Sequence, residues 1–570
     1  MGEPRTSDGR PSRTGGAGES SRAASPSPEA RSTRLRPALT EILAVVVGLA
    51  LVLRYAWLMD DAYVYFRYVD NLVIGGEGLV WNPGEYVEGF SSPLWALLLA
   101  LVRSLRLDYW SFVRAAGLVS FGAFSWLAIL ANRALTPQAA RGRTGYNVPL
   151  VYLAVCYGAL CYFTSGLESP LVLVMAGVYA CALVRPRSSV FQVFLGISPL
   201  VRPELAVPFL LSLVFIRIRT RRVPLAAIIA ALVSVGGYVA FRIWYYADLF
   251  PNTYHLKDAL WASQGLTYLW DAVAPYGTIP LLVGMAALYL WLRRRVGPEA
   301  LRHGERVAMA VMALAVAAYV VKVGGAPIHF KDLAFPFALA VLSGGGLLEA
   351  AAARWGPGPR SWTVVGTLAL GVAVAFAHPR QLPRPPIVRP VALRHNVTQL
   401  ISDAAFHRSP SAGLIPGRGT QADMLSYDAA ERRHARAPRS DRPIVESWCK
   451  TAYVHPSTPV VHSLGLTEPF LARTPVDADR PAHKFGLEQL AEDVARVRAL
   501  YGFRAGAFES ALRDGRGEEW MRRNIESLRS IEARAYNDHR FLENLRLALR
   551  PPETIAVKES EIGRMEKRAD

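Results

Sequence analysis

An acidic pair followed by an arginine is the first place in the sequence where side chains could do chemistry. Asp60 and Asp61 follow an apolar block, and Arg67 comes shortly after them. A helix over residues 61–72 would carry on one face Asp60, Tyr63, Arg67 and Asn71. A carboxylate can take a proton from an acceptor hydroxyl, and a guanidinium can hold a leaving phosphate. The pattern predicts transfer of a group from a phosphate; the alternative is a capped, salt-bridged surface helix.

The two acids are predicted to play different parts. Adjacent residues on a helix point about 100° apart, so both cannot face one substrate. Asp60 shares the face of Arg67, which favours Asp60 as the base. Asp61 shares a face with Tyr65 and Tyr68, which indicates orientation or packing.

The elements that must position these residues are membrane spans. The chain has 570 residues, of which 52% are hydrophobic and 19% charged, and the apolar residues come in long blocks. Blocks of roughly 17–25 residues match the hydrocarbon core of a bilayer. The net charge of +18 lies largely beside these blocks, as in juxtamembrane anchors, so nucleic acid is not an expected partner.

We predict an α-helical polytopic membrane protein with about eleven spans, its N-terminus in the cytoplasm and its C-terminus outside. Residues 93–107 are too short to cross comfortably and are predicted to form a juxtamembrane or re-entrant helix. The predicted spans are residues 38–58, 110–132, 148–164, 169–184, 190–201, 204–217, 223–245, 274–292, 306–323, 333–350 and 361–377.

The chain divides by composition into four parts. Residues 1–36 are polar and are predicted to be a disordered cytoplasmic tail. Residues 37–378 form the membrane domain, with an outward catalytic segment at 59–107. A proline-rich linker, 379–390, leads to residues 391–570, predicted to be an extracytoplasmic α/β domain. The four cysteines build no disulfide framework and no CxxC metal site.

The stretch from Asp60 to Trp95 resembles a long motif of bacterial membrane glycosyltransferases. It contains Asp-Asp-Ala-Tyr, Phe-Arg-Tyr, Gly-Leu-Val and Asn-Pro-Gly-Glu in order. The family includes the terminal β-(1→2)-arabinofuranosyltransferases, and it is more distantly similar to the GT-C enzymes that use aminoarabinose or dolichol-linked sugars. Tyr86 departs from the motif, where the family usually has arginine. The resemblance implies a GT-C fold, an inverting mechanism and a polyprenyl-phosphate sugar as donor.

Further pieces resemble the same family in the same order. Ser-Gly-Leu-Glu-Ser at 165–169, Val-Arg-Pro-Glu at 201–204 and Pro-Asn-Thr-Tyr-His-Leu-Lys at 251–257 precede a Gly-Leu-Thr-Glu-Pro stretch at 465–469. One piece departs, because Ala326 stands where the family commonly has aspartate. That departure weakens an arabinosyl assignment more than it weakens glycosyl transfer.

The resemblance and the residue types together give a set of candidate site residues. Ionisable groups at membrane depth such as Arg202 and Glu204 are costly and tend to mark function, although a mutual salt bridge is the alternative. The candidates for donor phosphate are Arg67, Arg202, Lys257 and Lys331. The candidates for sugar or acceptor are Tyr63, Asn82, Glu85, Glu88, Glu168, Glu204, Asn252, His255 and His329.

A metal site is left open. His255 and His329 fit structural hydrogen-bonding roles better than ligand roles, and their spacing from Asp60 and Asp61 gives no support for a site. A divalent cation, which some GT-C enzymes use, therefore stays open as a cofactor. In the outer part, core packing around Cys449 is favoured over glycan contact.

We therefore expect a glycosyltransferase on the outer face of a bacterial inner membrane. It would move a sugar, with arabinofuranose as one candidate, from a polyprenyl-phosphate lipid to a cell-envelope glycan. The alternatives are a transporter or flippase for such lipids, which should show inverted repeats, and an inactive membrane scaffold, which Ala326 encourages. No internal repeat is visible in the sequence.

Overall fold

The computed structural model describes residues 38–140, 147–257, 262–326, 330–355, 366, 427–437, 440, 442–446, 448–473, 488–501, 506–515 and 525–549. The predicted tail, the proline-rich linker and nearly all of the last predicted span lie outside these residues. Within them the chain is mostly helical.

Seventeen helices precede the C-terminal part in the described ranges. They are α1 Leu39–Arg54, α2 Ala62–Val73, α3 Pro93–Ser104, α4 Tyr109–Leu135, α5 Val148–Leu153, α6 Tyr157–Leu160, α7 Ser169–Val184, α8 Ser189–Val201, α9 Ala206–Thr220, α10 Leu225–Ala231, α11 Gly237–Tyr246, α12 Asn252–Leu256, α13 Ala262–Val273, α14 Thr278–Val296, α15 His303–Lys322, α16 Ala334–Leu342 and α17 Leu347–Ala352.

The described C-terminal part adds short helices and two strands. They are α18 over residues 427–434, β1 Ile444–Glu446, α19 Cys449–Tyr453, β2 Val460–His462, α20 Pro469–Arg473, α21 Glu488–Tyr501, α22 Ala507–Arg513, α23 Ile525–Ala535 and α24 Phe541–Leu549. The strands pair in parallel, with Ile444 opposite Val460. Both strands lie within residues 391–570, the part of the chain predicted to be an α/β domain.

Among the described residues, four helical segments are long and apolar enough to cross a membrane. They are Tyr109–Leu135, Leu225–Tyr246, His303–Lys322 and Lys331–Ala352. The first predicted span contains only the 16 residues of α1, and the third is divided between α5, α6 and a 3₁₀ turn. The four helices are compatible with a membrane glycosyltransferase, while the number of about eleven spans and their orientation stay predictions.

Local sequence explains where the helices around α2 begin. The Asp108 carboxylate accepts the backbone N–H of Ser111 at 2.8 Å, and α4 starts immediately after Asp108. Ser92 caps α3 in the same way, and Pro93 follows in the first helical position, where its missing N–H costs nothing. The Ser92 cap ends the loop that follows α2 and fixes where α3 begins. The Asp108 cap fixes where α4 begins after α3.

Helix α2 lies at the centre of the described structure. Every residue from Ala62 to Asn71 is buried. The Phe66 ring stacks on Tyr109 at the start of α4, with centroids 4.1 Å apart. The turn before α7 approaches the start of α2 so closely that a side chain at Gly166, where φ is +82°, would lie 2.7 Å from the Ala62 methyl group. Glycine is therefore needed there both for its conformation and for the close approach.

Candidate functional site

Charged side chains from five separate segments meet beside the start of α2. Arg202, at the end of α8, forms ion pairs with Glu168 at 3.2 Å, with Asp332 at 3.0 Å and with Glu204. Lys257 reaches Asp332 at 3.6 Å. We name this group the charged cluster; its members are Asp61, Glu168, Arg202, Glu204, Lys257, Lys331 and Asp332.

Lys331 connects Asp61 to the rest of the cluster. Its ammonium nitrogen lies 2.7 Å from the Asp61 carboxylate. The Asp61 side chain is 36% exposed and the Lys331 side chain 14%. The neighbouring Asp332 is held by Arg202 and Lys257. Glu168 is fixed from the other side, because Tyr65 donates its hydroxyl to the second oxygen at 3.0 Å.

The charge balance of the cluster limits what it can bind. Four carboxylates face three cations. A phosphate that enters must therefore replace one of these carboxylates at a cation or arrive with a cation of its own. Arginine and lysine that already pair with carboxylates can make this exchange because phosphate offers equivalent oxygens.

Asp60 faces a different partner from Asp61. Its two oxygens accept the backbone N–H groups of Cys449 and Lys450, at 2.8 and 3.0 Å, at the start of α19. Burial raises the pKa of Asp60 above its usual value, and the two backbone hydrogen bonds oppose that shift. The Cys449 thiol also donates to this carboxylate, and one lone pair then remains with which Asp60 can accept a proton while it caps α19.

A possible ligand set for a metal lies at the same place. One oxygen each of Asp60 and Asp61 and the sulfur of Cys449 all fall within 4.8 Å of one another. Burial raises the pKa of the Cys449 thiol, so it stays protonated at neutral pH and is a poor ligand in that form. The question of a divalent cation stays open.

Arg67 lies on the predicted face of α2, but backbone carbonyls surround it. The residue is 0% exposed. Its guanidinium donates to the carbonyl oxygens of Trp81 at 2.9 Å, Thr458 at 2.8 Å and His455 at 3.0 Å, and also to that of Ala452. In this arrangement Arg67 holds the loop after α19 against α2, and its role towards donor phosphate stays a prediction.

Several predicted sugar-binding residues form buried contacts with the C-terminal part. Asn82 exchanges two hydrogen bonds with the backbone of Val460, at 2.8 and 3.0 Å. Glu85 pairs with Arg498. Asn252 donates to the carbonyl oxygens of Gly465 and Leu466, at 2.8 and 3.0 Å.

Glu88 and His255 also contact protein groups. The Glu88 carboxylate pairs with Arg242 and accepts the Tyr238 hydroxyl at 2.8 Å. His255 lies 3.3 Å from Asp248. Asn82, Glu85, Glu88 and Asn252 form what we name the buried ties, while His255 is half-buried. The sugar-binding role of all five residues stays a prediction.

The remaining predicted residues fall into two cases. Tyr63 is buried, and its ring packs on Tyr453 with centroids 5.4 Å apart. His329 lies outside the described residues.

Asp332 was missed as a site residue, although it directly follows Lys331 in the sequence. Its main partner, Arg202, lies 130 positions away, so only the tertiary fold reveals the pair.

These features are those of a helical membrane protein with a charged site where its helices end. Terminal β-(1→2)-arabinofuranosyltransferase from Mycobacterium tuberculosis is 35% identical over 300 residues, covering 47% of this chain and 47% of that protein. The protein of the same name from Corynebacterium glutamicum is 29% identical over 332 residues, covering 49% of this chain and 46% of that protein. The chain is therefore related to the terminal β-(1→2)-arabinofuranosyltransferases, and it spans about half the length of the curated relatives it matches. No family model matches the chain.

Proposed function

We propose that the chain is an inverting glycosyltransferase of the GT-C type that takes a sugar from a polyprenyl-phosphate lipid and places it on a cell-envelope glycan. The observation that carries the proposal is the charged cluster. Six predicted site residues from five distant segments come together there, directly beside Asp60. The names of the relatives support arabinofuranose as the sugar.

The proposed reaction assigns a part to each side of the site. Asp60 accepts the proton of the acceptor hydroxyl, and its raised pKa makes it a better proton acceptor than an ordinary aspartate. The hydroxyl oxygen then bonds to the anomeric carbon as the bond from that carbon to the phosphate oxygen breaks. The lipid phosphate leaves with the bonding electrons and is held by Arg202, Lys257 and Lys331.

The proposed location follows from the positions of the cations at helix ends. Lys331 begins the apolar segment Lys331–Ala352, and Arg202 directly follows the apolar helix α8. A lipid whose phosphate lies at the membrane surface can present it to groups at this level. We propose that this surface is the outer face of the inner membrane, because the lysine and arginine bias of the loops predicts that side.

Transfer can be measured directly with protein reconstituted in liposomes. Radiolabelled polyprenyl-phosphate sugars, arabinofuranose among them, are supplied with cell-wall glycan acceptors. The expected result is label in the glycan that depends on Asp60, with Glu77→Gln as an exposed control in the same segment. Movement of the lipid across the bilayer without any labelled glycan would favour a flippase, and absence of both would favour a scaffold.

A further inference from the structure

A basic groove lies between α18 and α19, outside the charged cluster. Its volume is about 850 Å³. One wall carries Arg432, Arg433 and Arg436, and the other carries Lys450 and His455. None of the described residues that line the groove is acidic. The three guanidinium groups are exposed and pair with no carboxylate among the residues that the structure describes.

The position of α18 puts this groove at the level where apolar helices end. The Tyr427 hydroxyl accepts the backbone N–H of Tyr109 at 3.2 Å, and Tyr109 is the first residue of α4, which is long and apolar enough to cross a membrane. Glu431, on the same helix as the arginines, lies 3.5 Å from Arg103 near the end of α3. α3 exposes Leu97 and Leu101, at 56% and 58%, to its surroundings.

Leucines exposed in this way on an apolar helix are typical of contact with lipid tails, and basic residues just beyond such a helix are typical of contact with lipid headgroups. A groove with five basic side chains, three of them arginines, fits a group with several anionic oxygens. Arginine is the side chain best suited to phosphate, because its planar fork can donate two parallel hydrogen bonds.

We infer that the groove between α18 and α19 binds the phosphate group of a membrane lipid. Two lipids share this chemistry. One is an anionic phospholipid of the bulk membrane, and the other is the polyprenyl phosphate of the proposed reaction, an identity that rests on the proposed function. Lys450 links the groove to the site, because its side chain lines the groove while its backbone N–H binds Asp60.

The test measures lipid binding without any sugar donor or acceptor, so its outcome is independent of transfer. Purified protein in a neutral detergent is titrated with phosphatidylglycerol, polyprenyl phosphate or phosphatidylcholine, and bound lipid is counted by native mass spectrometry. The triple variant R432Q/R433Q/R436Q is compared with wild type. A second triple variant, R513Q/R529Q/R540Q, removes the same charge at described positions outside the groove and serves as the control.

Wild type and control are expected to bind at least one phosphate lipid better than phosphatidylcholine. The groove variant should bind that lipid more weakly by about fivefold for each arginine removed, with an unchanged melting temperature. Preference for phosphatidylglycerol would assign the groove to bulk lipid, and preference for polyprenyl phosphate would assign it to the carrier. Equal binding by the groove variant and the control, or no preference of wild type for either phosphate lipid over phosphatidylcholine, would overturn the inference.

Discussion

The charged cluster and the buried ties contain the same kinds of side chain, and we propose different roles for them. In the cluster, the Asp61 side chain is 36% exposed and pairs with Lys331. Lys331 could therefore exchange the Asp61 carboxylate for another anion. Among the buried ties, Glu88 is 3% exposed and its oxygens are taken by Arg242 and Tyr238. Membership of a motif therefore does not by itself separate a residue that could exchange its partner for a ligand from one that holds the parts of the fold together. At the level of single side chains the contrast is one of exposure, since Glu168 in the cluster is as buried as Glu88 and also pairs with an arginine and a tyrosine.

The largest expected effect is on the rate of transfer when the proposed base is removed. Asp60→Asn should lower the rate by about 10²–10⁴-fold, because loss of a general base costs that much. The variant keeps one oxygen that accepts a backbone N–H of α19 and loses the other, so it should stay folded and lose about 0.5–2 kcal/mol of stability. Steady-state transfer rates and thermal unfolding in detergent measure the two quantities.

Asp61→Asn is the matched variant for that comparison. It should lose less activity, because Asp61 pairs with Lys331 and is proposed to orient rather than to accept the proton. Near-normal transfer by Asp60→Asn together with an inactive Asp61→Asn would reverse the assignment. If both variants were active, the base would have to lie elsewhere.

Among the buried ties, the largest effect is expected on stability. Glu88→Gln leaves the buried Arg242 without its counter-charge, and the loss of one partner of a buried ion pair costs about 3–5 kcal/mol. The exposed Glu77→Gln in the same loop should change stability by less than about 0.5 kcal/mol. Thermal unfolding of the two variants checks the difference. A stable but inactive Glu88→Gln would move Glu88 from the buried ties to the site.

The pH dependence of stability tests the burial of His462 in β2. Burial lowers the pKa of His462 to about 4 in the folded protein, below the unfolded value of about 6.5. As the pH falls from 6.5 towards 4, the unfolded chain takes up a proton that the folded protein does not. Folding stability is therefore lost over that window, by up to about 3 kcal/mol. Melting temperatures of wild type and His462→Gln across this range should show a shallower decline in the variant, and equal slopes would contradict the burial of this imidazole.

The smallest expected effect is at a cation of the charged cluster. Lys257→Gln should weaken donor binding by about 10–150-fold, the value of one hydrogen bond to a charged group, with little change in stability. Its partner Asp332 keeps Arg202, so no buried charge is left alone. The Michaelis constant for the lipid donor is the quantity to measure, with the exposed Lys322→Gln as control. An unchanged constant for Lys257→Gln would remove Lys257 from the phosphate site.

Sequence patterns were most successful where chemistry and periodicity act locally. The predicted helix 61–72 corresponds to α2 within one residue at each end, and its apolar and aromatic residues from Ala62 to Val69 are buried. Arg202 and Glu204 of the cluster could be predicted because ionisable groups at membrane depth are uncommon and therefore informative. By contrast, apolar length does not reveal that residues 148–164 divide into short helical pieces.

The partners of Arg67 could not be predicted for a different reason. When a side chain binds backbone carbonyls, its partners cannot be recognised by residue type, since every residue has a carbonyl. The pattern therefore indicated a free guanidinium on the face of α2, where the structure has one surrounded by the loop after α19. Asp332 was missed because an acid beside a lysine resembles a local pair.

The same contacts of Arg67 set an order of events during synthesis. Three of the four carbonyl groups that receive this guanidinium lie 385 to 391 residues further along the chain. At a translation rate of about 5–20 residues per second, α2 emerges roughly 20–80 s before those partners exist. Until then the arginine must remain hydrated, because burying it alone would be costly. Burial of this arginine must therefore wait until residues 452–458 have been made, and a ribosome-stalled chain ending before residue 452 should leave the Trp81 side of α2 open to a water-soluble probe.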